Sequence, residues 1–136
     1  METKVILDTS VLVDFIRNND DAVSFVKSLS EKHEICTTDI NVFELYYGAY
    51  LSKQTDKNVA AVKGIINTIL VFSTTAECME ISAKILADLD KKGQKIEIKD
   101  VLVAGICLIN SCPIATSNRK HFERMCVKLI EYPVQK

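Results

Sequence analysis

The chain has 136 residues, 48% of them hydrophobic and 26% charged, with two prolines, four glycines and a formal net charge of −1. This length suits one domain over residues 1–136, and a chain of this size buries roughly two-thirds of its extended surface, so its core stands without disulfide or metal staples. The near-neutral charge excludes wholesale electrostatic coating of nucleic acid, and no run reaches the ~18 apolar residues that a membrane span needs.

The five cysteines, Cys36, Cys78, Cys107, Cys112 and Cys126, are odd in number and include no C-x-x-C pair. They read as reduced core residues of a cytoplasmic protein. The first residues enter a strand pattern at once, with no signal-peptide architecture.

Val5-Ile6-Leu7 is a β-branched run that ends at Asp8, after which Leu12, Phe15 and Ile16 change to helical spacing. Residues 21 to 30 carry Val23, Phe25, Val26 and Leu29 on a second helical pattern, and a short strand is expected at 35 to 37. Asp39 is placed to cap a helix over about 40 to 53, which holds Phe43, Tyr46, Tyr47 and Tyr50. Core packing is the first expectation for these aromatics, with anchoring of a partner as the second.

A helix over about 57 to 68 leads to a strand at 70 to 72. Thr75 then caps a long amphipathic helix with Met79, Ile81, Ile85, Leu86 and Leu89 inward, ending at Lys91-Lys92-Gly93. From 101 to 109 every residue is apolar or small, which predicts a helix buried on nearly all sides. A strand at 113 to 116, a short helix near His121 and a strand at 128 to 130 complete the series. Strands alternating with helices predict an α/β layered fold with a largely parallel central sheet, whose ligands bind at the carboxyl ends of the strands.

Three carboxylates stand apart. Asp8 follows the first strand and is the only charged residue between Lys4 and Asp14; Glu44 is the only one between Asp39 and Lys53. Asp100 opens the most apolar helix, and the next charged residue after it is Arg119, which predicts little compensating charge on its helix side. Taken singly, Asp8 reads equally as a helix cap, Glu44 as the partner of a lysine, and Asp100 as an acid favoured at a helix N-terminus. Taken together at one sheet edge they would repel by several kcal/mol (an order-of-magnitude figure) unless cations neutralise them. A histidine-free oxygen set suits Mg²⁺ or Mn²⁺, and His33 and His121 have no ligand spacing.

V-I-L-D-T-S-V-L-V-D-F around Asp8, N-V-F-E-L-Y-Y-G-A around Glu44, I-K-D-V-L-V-A-G-I around Asp100 and I-A-T-S-N-R-K-H-F from Ile114 through Thr116 to Phe122 together resemble the PIN-domain nucleases, and within them the small toxins of VapBC-type toxin–antitoxin pairs. The likeness covers essentially the whole chain. It implies a three-layer sandwich with four or five parallel strands between helices, and endonucleolytic hydrolysis of RNA. It implies Asp8, Glu44 and Asp100 as metal-binding residues, with Asn118 as a fourth, water-positioning corner. Many relatives carry an aspartate at that corner; asparagine removes a charge that would help to hold a second ion. A homodimer and a small antitoxin partner are also implied.

Thr9, Ser10, Thr116 and Ser117 have hydroxyls suited to orienting water or phosphate, although Ser10 and Ser117 serve turns and caps equally well. Lys91, Lys92, Lys95 and Lys99 precede Asp100, and Arg119, Lys120, Arg124 and Lys128 follow Asn118. They read as solvated faces first and as phosphate contacts second, with Lys95, Lys99, Arg119 and Lys120 the nearest to the site. Asp14 and Arg17 are expected to form a surface pair on the first helix, and Glu97 is left outside the site. The competing classes are a non-toxin RNA-processing nuclease, a degenerate module that binds RNA without cutting it, and a phosphoacceptor signalling domain. The last would need two adjacent acids after the first strand and a lysine after the last, which this chain lacks.

Overall fold

The computed structural model describes residues 3 to 132; the first two and last four positions of the expected domain lie outside them. The elements run β1 (Thr3–Leu7), α1 (Thr9–Ile16), α2 (Asp20–Ser30), β2 (His33–Thr38), α3 (Asp39–Leu51), α4 (Thr55–Ile66) and β3 (Leu70–Phe72), followed by α5 (Ala76–Lys91), α6 (Ile98–Ile109), β4 (Ile114–Thr116), α7 (Arg119–Glu123) and β5 (Leu129–Glu131). Five strands form one sheet in the order β3-β2-β1-β4-β5, and every pairing is parallel. The chain builds outward from β1 to β3 and then returns to the other side of β1 with β4. That reversal leaves a topological switch point between the carboxyl ends of β1 and β4, where open α/β sheets hold their ligands.

Alternation along β1 explains the two layers. Val5 and Leu7 are buried on one face with Val11, Leu12, Leu45 and Val62 from α1, α3 and α4. Ile6 faces the opposite layer, where Val101, Val103, Ala104 and Ile106 of α6 pack with Phe122 and Met125. α6 is buried along most of its length, as its uninterrupted apolar run predicts. It lies close against α5: a Cβ added to Gly105 would come within 2.1 Å of Ser82 Oγ and 2.8 Å of the Cys78 carbonyl oxygen. Ser82 Oγ in turn donates to the Val101 carbonyl at 2.8 Å, so α5 fixes the helix that carries Asp100.

Thr75 caps α5 as expected, its hydroxyl accepting from Cys78 N at 3.1 Å, and Gly93 takes a left-handed φ of 71° just beyond its end. Other expectations are corrected. Thr38, not Asp39, caps α3 by accepting from Asn41 N at 3.1 Å; Asp39 instead accepts from the backbone and hydroxyl of Thr74 at 2.8 and 3.1 Å. Met79 faces outward, because the buried stripe of α5 runs through Cys78, Ser82 and Leu89. Asp14 accepts from the Tyr132 hydroxyl at 2.9 Å where a pairing with Arg17 was expected. Four cysteines are buried, but Cys126 is exposed in a turn with a φ of 60°.

The aromatics of α3 depart furthest from expectation. Phe43, Tyr47, Tyr50 and Leu51 are 69%, 59%, 64% and 69% exposed, and the Phe43 and Tyr47 rings stack at 6.2 Å. Only Tyr46 packs against the core. Positions 43, 47, 50 and 51 share the helix face that points away from the sheet, so core packing is not their role. No helix of the described residues is long and apolar enough to cross a membrane.

Candidate active site

Asp8 is the first residue past β1 and lies at the switch point. Its backbone N donates to the Ala115 carbonyl at 3.0 Å, which continues the β1–β4 register and sets its side chain beside Thr116. Asp8 occupies the N-cap position of α1 but makes no side-chain cap hydrogen bond, so capping does not account for its carboxylate. Oδ2 accepts from Thr116 Oγ1 at 2.6 Å, whereas the buried Oδ1 has no hydrogen-bond partner. Burial pushes the Asp8 carboxyl above its ordinary range, the Thr116 hydrogen bond opposes this, and the charge of Asp100 adds to the rise.

Asp100 sits in the first turn of α6 and is 1% exposed. Its Oδ2 lies 2.6 Å from His121 Nδ1, and its Oδ1 is, like that of Asp8, buried without a hydrogen-bond partner. Lys99 Nζ stands 3.9 Å from that oxygen, within ion-pair range and beyond a hydrogen bond. The expected scarcity of compensating charge on the helix side of Asp100 is therefore corrected by Lys99, and the His121 ring adds a hydrogen-bonding contact.

Glu44 projects from α3 toward the same edge. Its Oε1 accepts from Thr9 Oγ1 at 2.7 Å, and its Oε2 meets Lys99 Nζ at 2.8 Å. The expectation of some lysine partner is met by a residue from the site itself. Burial is the largest influence on Lys99 and lowers its pKa, but Glu44, Asp100 and Asp8 together more than reverse it, and the ammonium form is favoured. Asn41, fully buried, braces the frame: its Nδ2 donates to the Leu7 carbonyl at 3.4 Å and to Thr37 Oγ1 at 3.2 Å, and its Oδ1 accepts from Thr9 at 2.9 Å.

Asn118 begins α7, and its backbone N donates to Thr116 Oγ1 at 2.9 Å. Thr116 thus joins Asp8 and Asn118 through a single hydroxyl. Ser10 Oγ accepts from Ser117 N at 3.3 Å, which tightens the two loops against each other. Among the candidate phosphate contacts, Lys99 is inside the acidic cluster, while Lys95 and Lys120 are exposed. Arg119 is engaged by Glu123 at 2.7 Å and Glu131 at 3.7 Å. Glu97 is exposed beyond the cluster, 4.0 Å from Lys99. His33 bonds to Thr3 at the other end of the sheet.

Sequence reasoning missed His121, Asn41 and the inward turn of Lys99. Asn41 carried a signal, being a polar side chain one helical turn before Glu44 on an apolar helix. His121 offered only its place one turn into the helix after the β4 loop. Neighbours on a helix do not face one another, so nothing in the Lys99-Asp100 adjacency indicated that the lysine stem would reach across to α3.

The candidate donors are all hard oxygens, and of the three buried carboxylate oxygens without a hydrogen-bond partner among the described residues two, on Asp8 and Asp100, lie here, a chemistry that fits a hard divalent cation. The described residues hold no ready-made group of three acids, histidines or cysteines around one point; Asp8 and Asp100 are the acids of the cluster left with an open oxygen, and Glu44 is occupied by Lys99.

A model of the PIN domain matches residues 5–128. The tRNA(fMet)-specific endonuclease VapC of Shigella flexneri is 28% identical over 122 residues, which cover 90% of this chain and 92% of the relative. Ribonuclease VapC1 of Methanocaldococcus jannaschii is also 28% identical, with 91% and 82% covered. Among solved structures, the DNA-bound VapBC of Salmonella typhimurium aligns with a TM-score of 0.86 at 26% identity, covering 96% of this chain and 99% of that one. VapBC2 of Rickettsia felis, bound to a promoter DNA fragment, reaches 0.89 at 22% identity with 96% and 100% covered, a likeness of fold.

Proposed function

The chain belongs to the PIN domain family, and from that membership we propose a Mg²⁺- or Mn²⁺-dependent endoribonuclease, the toxin of a type II toxin–antitoxin pair acting in the cytoplasm. The observation that carries the reading is the pair of buried, unpartnered Oδ1 atoms of Asp8 and Asp100 at the carboxyl ends of the strands. Two buried anions with idle lone pairs are costly unless a cation completes them.

Asp8 and Asp100 bind the ion, Glu44 is the third acid of the set, and Asn118 positions water from its carbonyl oxygen. When bound, the ion supplies an activated water and offsets charge on the phosphate. Thr116 holds the Asp8 carboxylate in place, and Thr9 does the same for Glu44. Ser117, whose backbone N donates to Ser10 Oγ, stands in the same loop as a substrate-orienting group. Lys95 and Lys120 contact RNA phosphates; Arg119 joins them on exchanging its carboxylate partners for phosphate.

An antitoxin is the proposed protein partner, in keeping with the toxin–antitoxin complexes among the structural neighbours. The exposed aromatic face of α3 is apolar area available to it or to a second copy of the chain. Light scattering at micromolar concentration reads the homodimer directly, and a monomer there counts against it.

The neutral Asn118 keeps one other reading in view, a module that binds RNA without cutting it. Induced expression of the chain beside Asp8→Ala, with cellular RNA sequenced for new 5′ ends, separates the two. Growth arrest with discrete new ends in the wild type alone is expected. Identical RNA profiles would sink the nuclease reading.

A further inference from the structure

We propose that Lys99 is a tethered second cation of this site: its ammonium pairs with Glu44 in place of a second ion, leaving Asp8 and Asp100 to bind one divalent ion. This rests on the metal-dependent reading above and specifies how many ions that site takes.

Three observations carry it. The first is an asymmetry among the acids: both oxygens of Glu44 have donors, from Thr9 and Lys99, while one oxygen each of Asp8 and Asp100 has none. A carboxylate already satisfied by a hydrogen bond and an ion pair gains little from a metal, and a buried unpartnered one gains much. The second is position. Lys99 Nζ lies 2.8 Å from Glu44 and 3.9 Å from the idle oxygen of Asp100, so it bridges the third acid to Asp100. The third is charge. Asp8, Glu44 and Asp100 bring three negative charges and Lys99 returns one, leaving two for a single divalent ion. Asn118, at the remaining corner, brings no charge that would call for another.

Lys99 differs from a mobile ion in being covalently tied to α6, and so present at every metal concentration. A fixed ammonium beside the site also discourages entry of a second dication by like-charge repulsion. Glu44 then acts as a positioning residue through Lys99.

Mn²⁺ binding to the purified full chain, counted by electron paramagnetic resonance of the free ion, tests this directly. Wild type is expected to bind one Mn²⁺ per chain. Lys99→Met is expected to bind a second at least tenfold more tightly than wild type does, and Lys99→Arg to keep a single ion. Glu44→Gln in the wild-type background is expected to leave the first ion's affinity within about threefold, an outcome that decides the matter even if Lys99→Met does not fold. Two ions in wild type, an unchanged count in folded Lys99→Met, or loss of the first ion in Glu44→Gln would each overturn the role of Lys99 while leaving metal dependence intact. Absence of Mn²⁺ binding in wild type would instead remove the metal-dependent reading, and this inference with it.

Discussion

Asp8 is only 2% exposed, accepts one hydrogen bond from Thr116 and has a second oxygen with no donor. Burial raises its carboxyl above the ordinary value of 3.8, so the folded, metal-free chain holds this proton more tightly than the unfolded chain does. Stability from this group is complete below the unfolded value and is lost as pH rises through the higher folded one. At neutral pH the metal-free protein therefore carries the cost of an ionised buried acid. Asp8→Asn keeps the shape and the acceptor for Thr116 while removing the charge. In EDTA at pH 7 it is expected to melt above wild type by a few degrees, corresponding to about 1 kcal/mol. The difference should vanish below about pH 4, and Mn²⁺ should raise the melting temperature of wild type alone. A variant that melts below wild type in EDTA at pH 7 would contradict the account. At this scale the sequence carried the three acids of the candidate site, because a lone acid after a strand or on an apolar helix is conspicuous. It did not carry Lys99 or His121, whose importance comes from side-chain reach across elements far apart in the chain.

Hydrophobic periodicity located the helices and strands, and the residual errors have physical causes. Asp39 was the expected cap for α3, but Thr38 is one residue nearer the strand end, in extended backbone, where its hydroxyl reaches Asn41 N. An aromatic-rich helix looks buried by composition, yet Phe43, Tyr47 and Tyr50 face away from the sheet; composition alone does not tell a second apolar face from a first. Gly105 shows the reverse case, a small residue whose significance appears only once α5 is placed against it. Gly105→Ala would set a methyl within 2.8 Å of a backbone oxygen and force α5 and α6 apart. A loss of about 1–3 kcal/mol in chemical denaturation is expected, the usual cost of overfilling a packed contact. Because α6 carries Asp100 and Lys99, Mn²⁺ affinity should fall as well. Unchanged stability would show that the helices have room to separate.

The order of the strands brings these elements together. With β1 central and β4 returning beside it, residues about a hundred positions apart meet, as Asp8 and Thr116 do. The parallel α/β class followed from alternating strand and helix patterns, and the sheet edge that gathers the acids followed from where such folds bind ligands. The detailed register and the division of the acids into an open pair and a lysine-bound third required the folded molecule. In the proposed function Asp8 and Asp100, completed by a divalent ion, cut RNA. Its most direct test is cleavage of a structured RNA by the purified chain in Mn²⁺, with and without excess EDTA, beside Asp8→Asn. Cleavage by wild type that stops in EDTA, and is reduced at least about a hundredfold in Asp8→Asn, is the predicted result; equal cleavage in EDTA, or by Asp8→Asn, would contradict it.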